Sequence, residues 1–342
     1  MAQAWRSDIL KTLVAGKHLS VQQTRDLFNQ IMDGEFTESQ IAAVLVALAA
    51  KGETVDEITG AAMAMRTHAV RIDPGGRDVI DTCGTGGTGL NTLNISTAAA
   101  LVAAGAGACV AKHGNRTNTR PSGSADVLAA LGVNLDAPPE VQARCLAEAN
   151  VCFCFAVRHH PAMKYAMPVR KALAVRTIFN VLGPLTNPAG ATRQLMGVFD
   201  DALVQPIAEV LAALGAERAM VVHAEDGLDE VSTTSPTHLA EVADGKVTRR
   251  TLRPRDFKLA KARLEDLAVA SAEDSAQRIR GVLAGKKGPD RDVVLLNAAA
   301  ALTVAGLAED IPAGLPAAEK AIASGAAAGA LQKLIAISNG QP

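Results

Sequence analysis

Ile41, Val44, Leu45 and Leu48 fall three or four positions apart, the spacing that lines one face of an α-helix. The stretch opens with Thr37-Glu38-Ser39-Gln40, and the same hydroxyl followed three residues later by Glu or Gln recurs in Ser20-Val21-Gln22-Gln23 and Thr54-Val55-Asp56-Glu57. Each predicts a helix start closed by a capping box, so residues 1–72 predict a small helical domain. From about Arg77 the pattern changes. Short apolar runs (Val79-Ile80, Cys109-Val110, Val151 to Phe155, Leu195 to Phe199, Met220 to Val222) alternate with helical stretches such as Ala202 to Leu214. That alternation predicts an α/β fold, a mostly parallel central sheet covered by helices. Asp244-Gly245, between two short strand-like runs, predicts a hairpin added to that sheet.

Composition narrows the function classes. Over 342 residues, 34 Lys and Arg balance 35 Asp and Glu, a formal charge of −1, so no global attraction to nucleic acid or an acidic membrane is expected. Aromatic residues are 3% of the chain, too few for base-stacking surfaces. Arg6, Asp8 and Lys11 interrupt the N-terminus, and the longest apolar run, Ala98 to Ala111, is too short to span a bilayer; a cytoplasmic location is expected. The five cysteines, Cys83, Cys109, Cys145, Cys152 and Cys154, are odd in number and suit reduced core thiols better than a disulfide framework. Cys152-Phe153-Cys154-Phe155 is expected to be a buried strand with both thiols on one face rather than a metal site.

The carboxylates are missing in two places. Thr82 to Ala125 contains no Asp or Glu but includes Lys112, Arg116 and Arg120, and Asn150 to Phe199 again has none, with Arg158, Lys164, Arg170, Lys171, Arg176 and Arg193. Two electropositive regions in a neutral protein point to two anionic ligand groups. In the first, Asp81-Thr82-Cys83-Gly84-Thr85-Gly86-Gly87-Thr88-Gly89 follows a strand and precedes Asn94-Ile95-Ser96-Thr97, which opens an Ala-rich helix. Glycines let backbone N–H groups approach an anion, and a helix N-terminus adds free donors, so the segment predicts a phosphate cradle. The alternative is a tight turn with the helix capped by Asn94 or Ser96. Gly84, Gly86 and Gly89 also satisfy the dinucleotide fingerprint, but the acid needed about 20 residues on does not occur before Asp126. Lys112-His113-Gly114-Asn115-Arg116 at the next strand end can bind a phosphate or carboxylate, and Ser122-Gly123-Ser124 starts another helix. Further on, Pro168 suits the first position of a helix, which would put Arg170 in its first turn. Glu225-Asp226-Gly227-Leu228-Asp229-Glu230 follows the strand Met220 to His223, and paired carboxylates at a strand end are a natural Mg²⁺ site beside phosphates.

Taken in order, GTGG at Gly84 to Gly87, NIST at Asn94 to Thr97, KHGNR at Lys112 to Arg116 and SGSADVL at Ser122 to Leu128 are followed by HPAMK at His160 to Lys164, PVR at Pro168 to Arg170, RTIFNVLGPLTNPA at Arg176 to Ala189 and DGLDE at Asp226 to Glu230. This series resembles the anthranilate phosphoribosyltransferases, which join anthranilate to phosphoribosyl diphosphate in tryptophan biosynthesis. The resemblance implies a homodimer. Each protomer would have a helical domain of residues 1–72 with a returning segment at about 164–185, and an α/β domain of 73–163 and 186–342, with the site in the cleft between them. Carried onto this chain, it implies a phosphoribosyl diphosphate site of Gly84, Gly87, Thr88, Thr92, Asn94, Ile95, Ser96, Thr97, Lys112 and Ser124. It implies Mg²⁺ ligands Ser96, Asp229 and Glu230, and an anthranilate site of Gly84, Asn115, His160 and Arg170, with Arg170 facing the carboxylate. His113 and His160 would line the entrance, and His113 is the candidate for handling the amine proton. Thr88 stands where that family usually has Asp, Arg120-Pro121 alter the loop after KHGNR, Val157 replaces a usual Pro and Ala174 a usual Gly. A pyrimidine nucleoside phosphorylase of like architecture is the enzyme rival, and a non-catalytic nucleic-acid-binding homologue the other; the DGLDE carboxylates, the PVR arginine and the charge of −1 favour the transferase.

Overall fold

The computed structural model describes residues 2–117, 121–260 and 262–341. Four helices come first, α1 (Ala2–Val14), α2 (Val21–Met32), α3 (Glu38–Lys51) and α4 (Val55–Thr67). The three predicted capping boxes all close: the Ser20, Thr37 and Thr54 hydroxyls each accept the N–H three residues on, while Gln23, Gln40 and Glu57 reach back. The stripe Ile41, Val44, Leu45, Leu48 is fully buried.

The rest alternates strands and helices, in the order β1 (Val79–Asp81), α5 (Ile95–Gly105), β2 (Cys109–Gly114), α6 (Ser124–Leu131), α7 (Pro139–Ala149) and β3 (Val151–Phe155). A helical passage follows, α8 (Ala156–His159), α9 (Met167–Leu173) and α10 (Phe179–Leu182), then β4 (Arg193–Gly197), α11 (Val204–Ala213) and β5 (Arg218–Ala224). The chain closes with β6 (Thr237–Ala243), β7 (Lys246–Leu252), α12 (Ala272–Leu283), α13 (Pro289–Ala305), α14 (Ile311–Ala323) and α15 (Ala326–Ser338). The sheet order is β3-β2-β1-β4-β5-β6-β7; β3 to β5 run parallel, and β6 and β7 add antiparallel. The predicted hairpin is β6–β7, turning at Asp244-Gly245 where both residues have positive φ.

Side-chain alternation along the strands divides the apolar interior. Leu195, Met220 and Val222 face a core built with α5, α13 and α15, whereas Met196, Ala219 and Val221 face a second one that joins α11 to the N-terminal helices and to Val169, Phe179 and Leu182. The helical bundle is thus continuous with one face of the sheet, and residues 166–185 pack into it. The five cysteines are free and buried, and Cys152 and Cys154 do share a face, their sulfurs 3.7 Å apart. Among the described residues no single helix is long and apolar enough to cross a membrane; the bent pair α14–α15 has the composition but packs against α5, α7 and α13.

Strand β1 lies at the centre, its neighbours β2 on one side and β4 on the other. Chain connections leave it in opposite directions there, and the crevice beyond the carboxyl ends of the strands at such a switch point is where α/β sheets hold ligands.

Candidate functional site

Three strand ends deliver the predicted residues to that crevice. The glycine loop follows β1, Lys112 to Gly114 end β2, and the Asp226 to Glu230 segment follows β5. The loop is docked at several points: Thr85 donates its N–H to the Gly197 carbonyl (2.8 Å), the Thr85 hydroxyl accepts the Phe199 N–H (3.0 Å), and Gly86 N–H donates to Asp229 Oδ2 (3.1 Å). A Cβ on Gly84 would stand 2.7 Å from that same carboxylate oxygen, and one on Gly197 only 1.7 Å from the Asp229 carbonyl. Both positions need glycine because the Asp229 segment lies directly on them.

Glu230 crosses to the start of α5, where its Oε1 accepts the Ser96 N–H (3.0 Å). The alternative reading, a helix capped by Asn94 or Ser96, is not what the described residues show: the Asn94 side chain makes no cap hydrogen bond, and an acid from the loop after β5 satisfies the free donor. Asn94 instead fastens three elements, its Oδ1 accepting from Ser122 (2.6 Å) and Ser275 (2.8 Å). Lys112 is buried and donates to the Thr82 carbonyl (2.7 Å) and to Ser96 Oγ (3.2 Å). Burial, with the Asp229 carboxylate beside it, pushes the Glu230 carboxyl up to about 8. Two carboxylates and the Ser96 hydroxyl thus crowd together beside the Lys112 ammonium, an oxygen-rich donor set of the kind a hard divalent cation uses.

Ile95 and Thr97 are buried under the helix start, and the Thr97 hydroxyl has no hydrogen-bond partner among the described residues. Thr92 is half-buried and bridges to Ala268. Thr88 Oγ1 accepts the Leu90 N–H (3.3 Å), within the loop. Ser124 heads α6 and donates to the Asn115 carbonyl (3.3 Å); Asn115 is exposed, its side chain turned back to accept the Arg116 N–H. Arg116 is exposed and pairs with Asp126 at 2.8 Å, so part of its charge is already met. Arg120 lies outside the described residues.

In the second acid-free stretch, Arg158 pairs with Asp136 and Arg193 with Asp78 and Glu217, so these two cations are neutralised by acids elsewhere in the sequence. Arg170 differs: among the described residues it has no acidic partner, its guanidinium lies 5.3 Å from the Phe179 ring, and burial holds it below the ordinary arginine range. Pro168 is the second residue of α9, after Met167, not the first. Ala174, at the end of α9, has φ 51°, a left-handed conformation in which glycine is unstrained and alanine is not.

His113 and His160 are both buried, 3% and 7% exposed, and do not line an open entrance. Their Nε2 atoms are 3.2 Å apart. The Gly183 carbonyl engages the His113 ring, and burial, reinforced by His160, holds His113 well below its usual range; burial also lowers His160 to about 4. Both are neutral imidazoles at pH 7.

Several organising residues were not singled out from the sequence. Asp81 is wholly buried, accepting from the His113 N–H (3.0 Å), Asn187 Nδ2 (2.7 Å) and the Cys83 thiol (3.4 Å). Asp81, Cys83 and His113 have the spacing of a metal cluster, yet the thiol is a donor to Asp81 and burial keeps it protonated, so the group is a clamp on the ends of β1 and β2. Asn297 on α13 brackets the residue after Glu230, accepting the Val231 N–H (2.9 Å) and donating to its carbonyl (2.8 Å). Asn297 was visible as a lone amide inside the apolar run Val293 to Leu302. Asp226 accepts from the Ser232 and Thr234 hydroxyls and shapes the loop rather than facing the site.

The sequence matches the model of the glycosyl transferase family α/β domain over residues 76–328 and that of the family's helical bundle domain over 7–69. It is 53% identical to the anthranilate phosphoribosyltransferase of Thioalkalivibrio sulfidiphilus, over 93% of this chain and 94% of that one. It is also 53% identical to that of Rhodospirillum rubrum, over 96% and 94%. Among solved structures, the Thermus thermophilus anthranilate phosphoribosyltransferase superposes with a TM-score of 0.92 at 41% identity, covering 96% of this chain and 99% of that one. The Saccharomyces cerevisiae anthranilate phosphoribosyltransferase in complex with PRPP and Mg superposes at 0.88 and 28%, covering 98% of each. Matched from helical bundle to α/β domain and along nearly all of its length, the chain belongs to the anthranilate phosphoribosyltransferase family.

Proposed function

We infer that this protein transfers the phosphoribosyl group of 5-phosphoribosyl 1-diphosphate to the amine of anthranilate, releasing diphosphate, in tryptophan biosynthesis. One observation carries the reading: the Gly86 amide of the loop, the Ser96 amide of α5 and Lys112 gather around an acidic pair, Asp229 and Glu230, at one strand-end crevice, while among the described residues Arg170 has no acidic partner. The first arrangement suits a diphosphate and its counter-ion, the second a carboxylate.

In this reading the Gly84 to Gly89 loop and the α5 N-terminus hold the donor's phosphates, with Thr88, Thr92, Asn94, Ile95, Ser96, Thr97 and Ser124 framing them and Lys112 adding a charge. Ser96, Asp229 and Glu230 would hold Mg²⁺, which when bound neutralises the leaving group's developing charge. Arg170 and Asn115 orient the acceptor by its carboxylate, and the Gly84 backbone and His160 border it. The contribution of these residues is placement and charge stabilisation as the C1–O bond loosens. His113 is a poor base, since its ring is held neutral and its Nε2 faces His160. The departing diphosphate, gaining charge as it leaves, is the better proton acceptor.

The family resemblance and one surface support pairing of two chains. α3 packs against both α1 and α9, and each of the three helices carries an exposed apolar side chain, Val14 (77% exposed), Val46 (46%) and Met167 (47%), apolar surface that a second copy would cover. A cytoplasmic location fits the reading.

The deciding experiment follows anthranilate fluorescence after mixing with the donor and Mg²⁺, omitting each component in turn. Decay that requires all three is expected; decay without Mg²⁺, or none with folded protein, would overturn the metal role or the reaction respectively.

A further inference from the structure

We propose that Arg176 is a positioning residue that couples the donor site to the acceptor site. The inference rests on the transferase reading above and goes beyond it, because nothing in that reading uses Arg176. This arginine belongs to the passage after α9 that packs with the helical bundle, yet its Nη2 donates to the Gly87 carbonyl of the glycine loop at 2.7 Å. Its guanidinium also lies 3.9 Å from the centre of the Phe199 ring, and the Phe199 N–H is the donor that holds Thr85 at the loop's beginning. One side chain from the helical side therefore grips the loop at Gly87 and, through Phe199, at Thr85.

The grip has a directional consequence. In a trans peptide the C=O and the following N–H point in opposite directions, so pinning the Gly87 oxygen toward Arg176 turns the Thr88 N–H away from it. Gly87, at φ 77°, can take this orientation without strain. Position 88 is a threonine and adds no negative charge to repel an anion; its Oγ1 accepts the Leu90 N–H, and its backbone N–H is a donor the loop can turn toward an anion. Arg176 lies six positions after Arg170, the cation assigned above to the acceptor's carboxylate. An anion that draws the loop inward pulls on Arg176, and through it on the segment that carries Arg170. Filling the donor site should therefore favour the position of Arg170 that binds the acceptor, and thermodynamic linkage makes the effect reciprocal.

The test uses ligands that cannot react together. Anthranilate is titrated by its fluorescence against the full-length protein with Mg²⁺ present, with and without inorganic diphosphate. In the wild type, diphosphate should tighten anthranilate binding by about fivefold or more, the usual lower range of site coupling. In Arg176→Ala the ratio should fall to within about twofold of unity, with binding in the absence of diphosphate unchanged. Arg176→Lys keeps a donor for the Gly87 carbonyl but loses the planar stack, and should recover part of the ratio. A ratio that is absent in the wild type, or is retained in Arg176→Ala, overturns the proposal. Wild-type turnover measured in parallel separates the two failures: no turnover overturns the transferase reading, whereas turnover with an unaltered ratio overturns only the role of Arg176. Thermal melting of each variant verifies that the exposed substitution leaves the fold intact.

Discussion

Glu230 and Arg170 show how much a single side chain's chemistry depends on what surrounds it. Glu230 is half-buried against Asp229 and caps α5 through the Ser96 N–H; Arg170 is a guanidinium with an aromatic ring and a thioether for neighbours and, among the described residues, no acidic partner. If Arg170 receives the acceptor's carboxylate, Arg170→Ala should raise the KM for anthranilate about tenfold to a hundredfold, the cost of a lost charge-assisted pair. The KM for the donor should move far less, and equal changes in steady-state kinetics would argue against the assignment. The paired imidazoles make a separate prediction. Burial lowers His160 from 6.5 to about 4, so between those values the unfolded chain binds more protons than the folded one and stability falls as pH falls. From pH 7 to pH 5 His160 should cost on the order of 2 kcal/mol, and urea denaturation should show His160→Gln flattening that slope.

Secondary-structure elements mattered less for what they contain than for where they stop. β1, β2, β4 and β5 all end at the same edge of the sheet, which gathers segments separated by well over a hundred residues. The close approach of the Asp229 backbone to β4 depends on Gly197, whose missing Cβ leaves room for the Asp229 carbonyl. Gly197→Ala should displace the acidic pair by a fraction of an ångström or more and cut kcat about a hundredfold. Circular dichroism should show the sheet retained, and near-normal turnover would mean the DGLDE segment tolerates the shift. At α9 the chain does the reverse: Ala174 holds a left-handed backbone between Arg170 and Arg176, where a glycine would be relaxed.

At the level of the molecule, the N-terminal bundle and the sheet are joined through α11 and the buried faces of β4, β5 and β6, so the crevice is framed by elements that share an interior. The exposed Val14, Val46 and Met167 on the bundle support the pairing of two chains there. Val46→Glu should move the protein from dimer to monomer in sedimentation equilibrium, since a buried unpaired carboxylate is costly at an interface. A variant that sediments as wild type would place the contact elsewhere.

Much of this was legible along the chain, because the signals were local. Capping boxes need only four consecutive residues, parallel strands announce themselves as short apolar runs, and the GTGG, KHGNR and DGLDE segments carry their chemistry within a few positions. What could not be read was which group would satisfy which. Glu230 rather than Asn94 or Ser96 meets the α5 N-terminus, Asp126 pairs with Arg116, and Asp81 with Asn187 clamps the strand ends. Arg176 reaches Gly87 across 89 positions. Each of these partnerships joins residues remote in sequence, or settles a choice among equivalent donors and acceptors. Hydrogen bonds and ion pairs act over about 3 Å, and only the folded backbone decides which groups come that close.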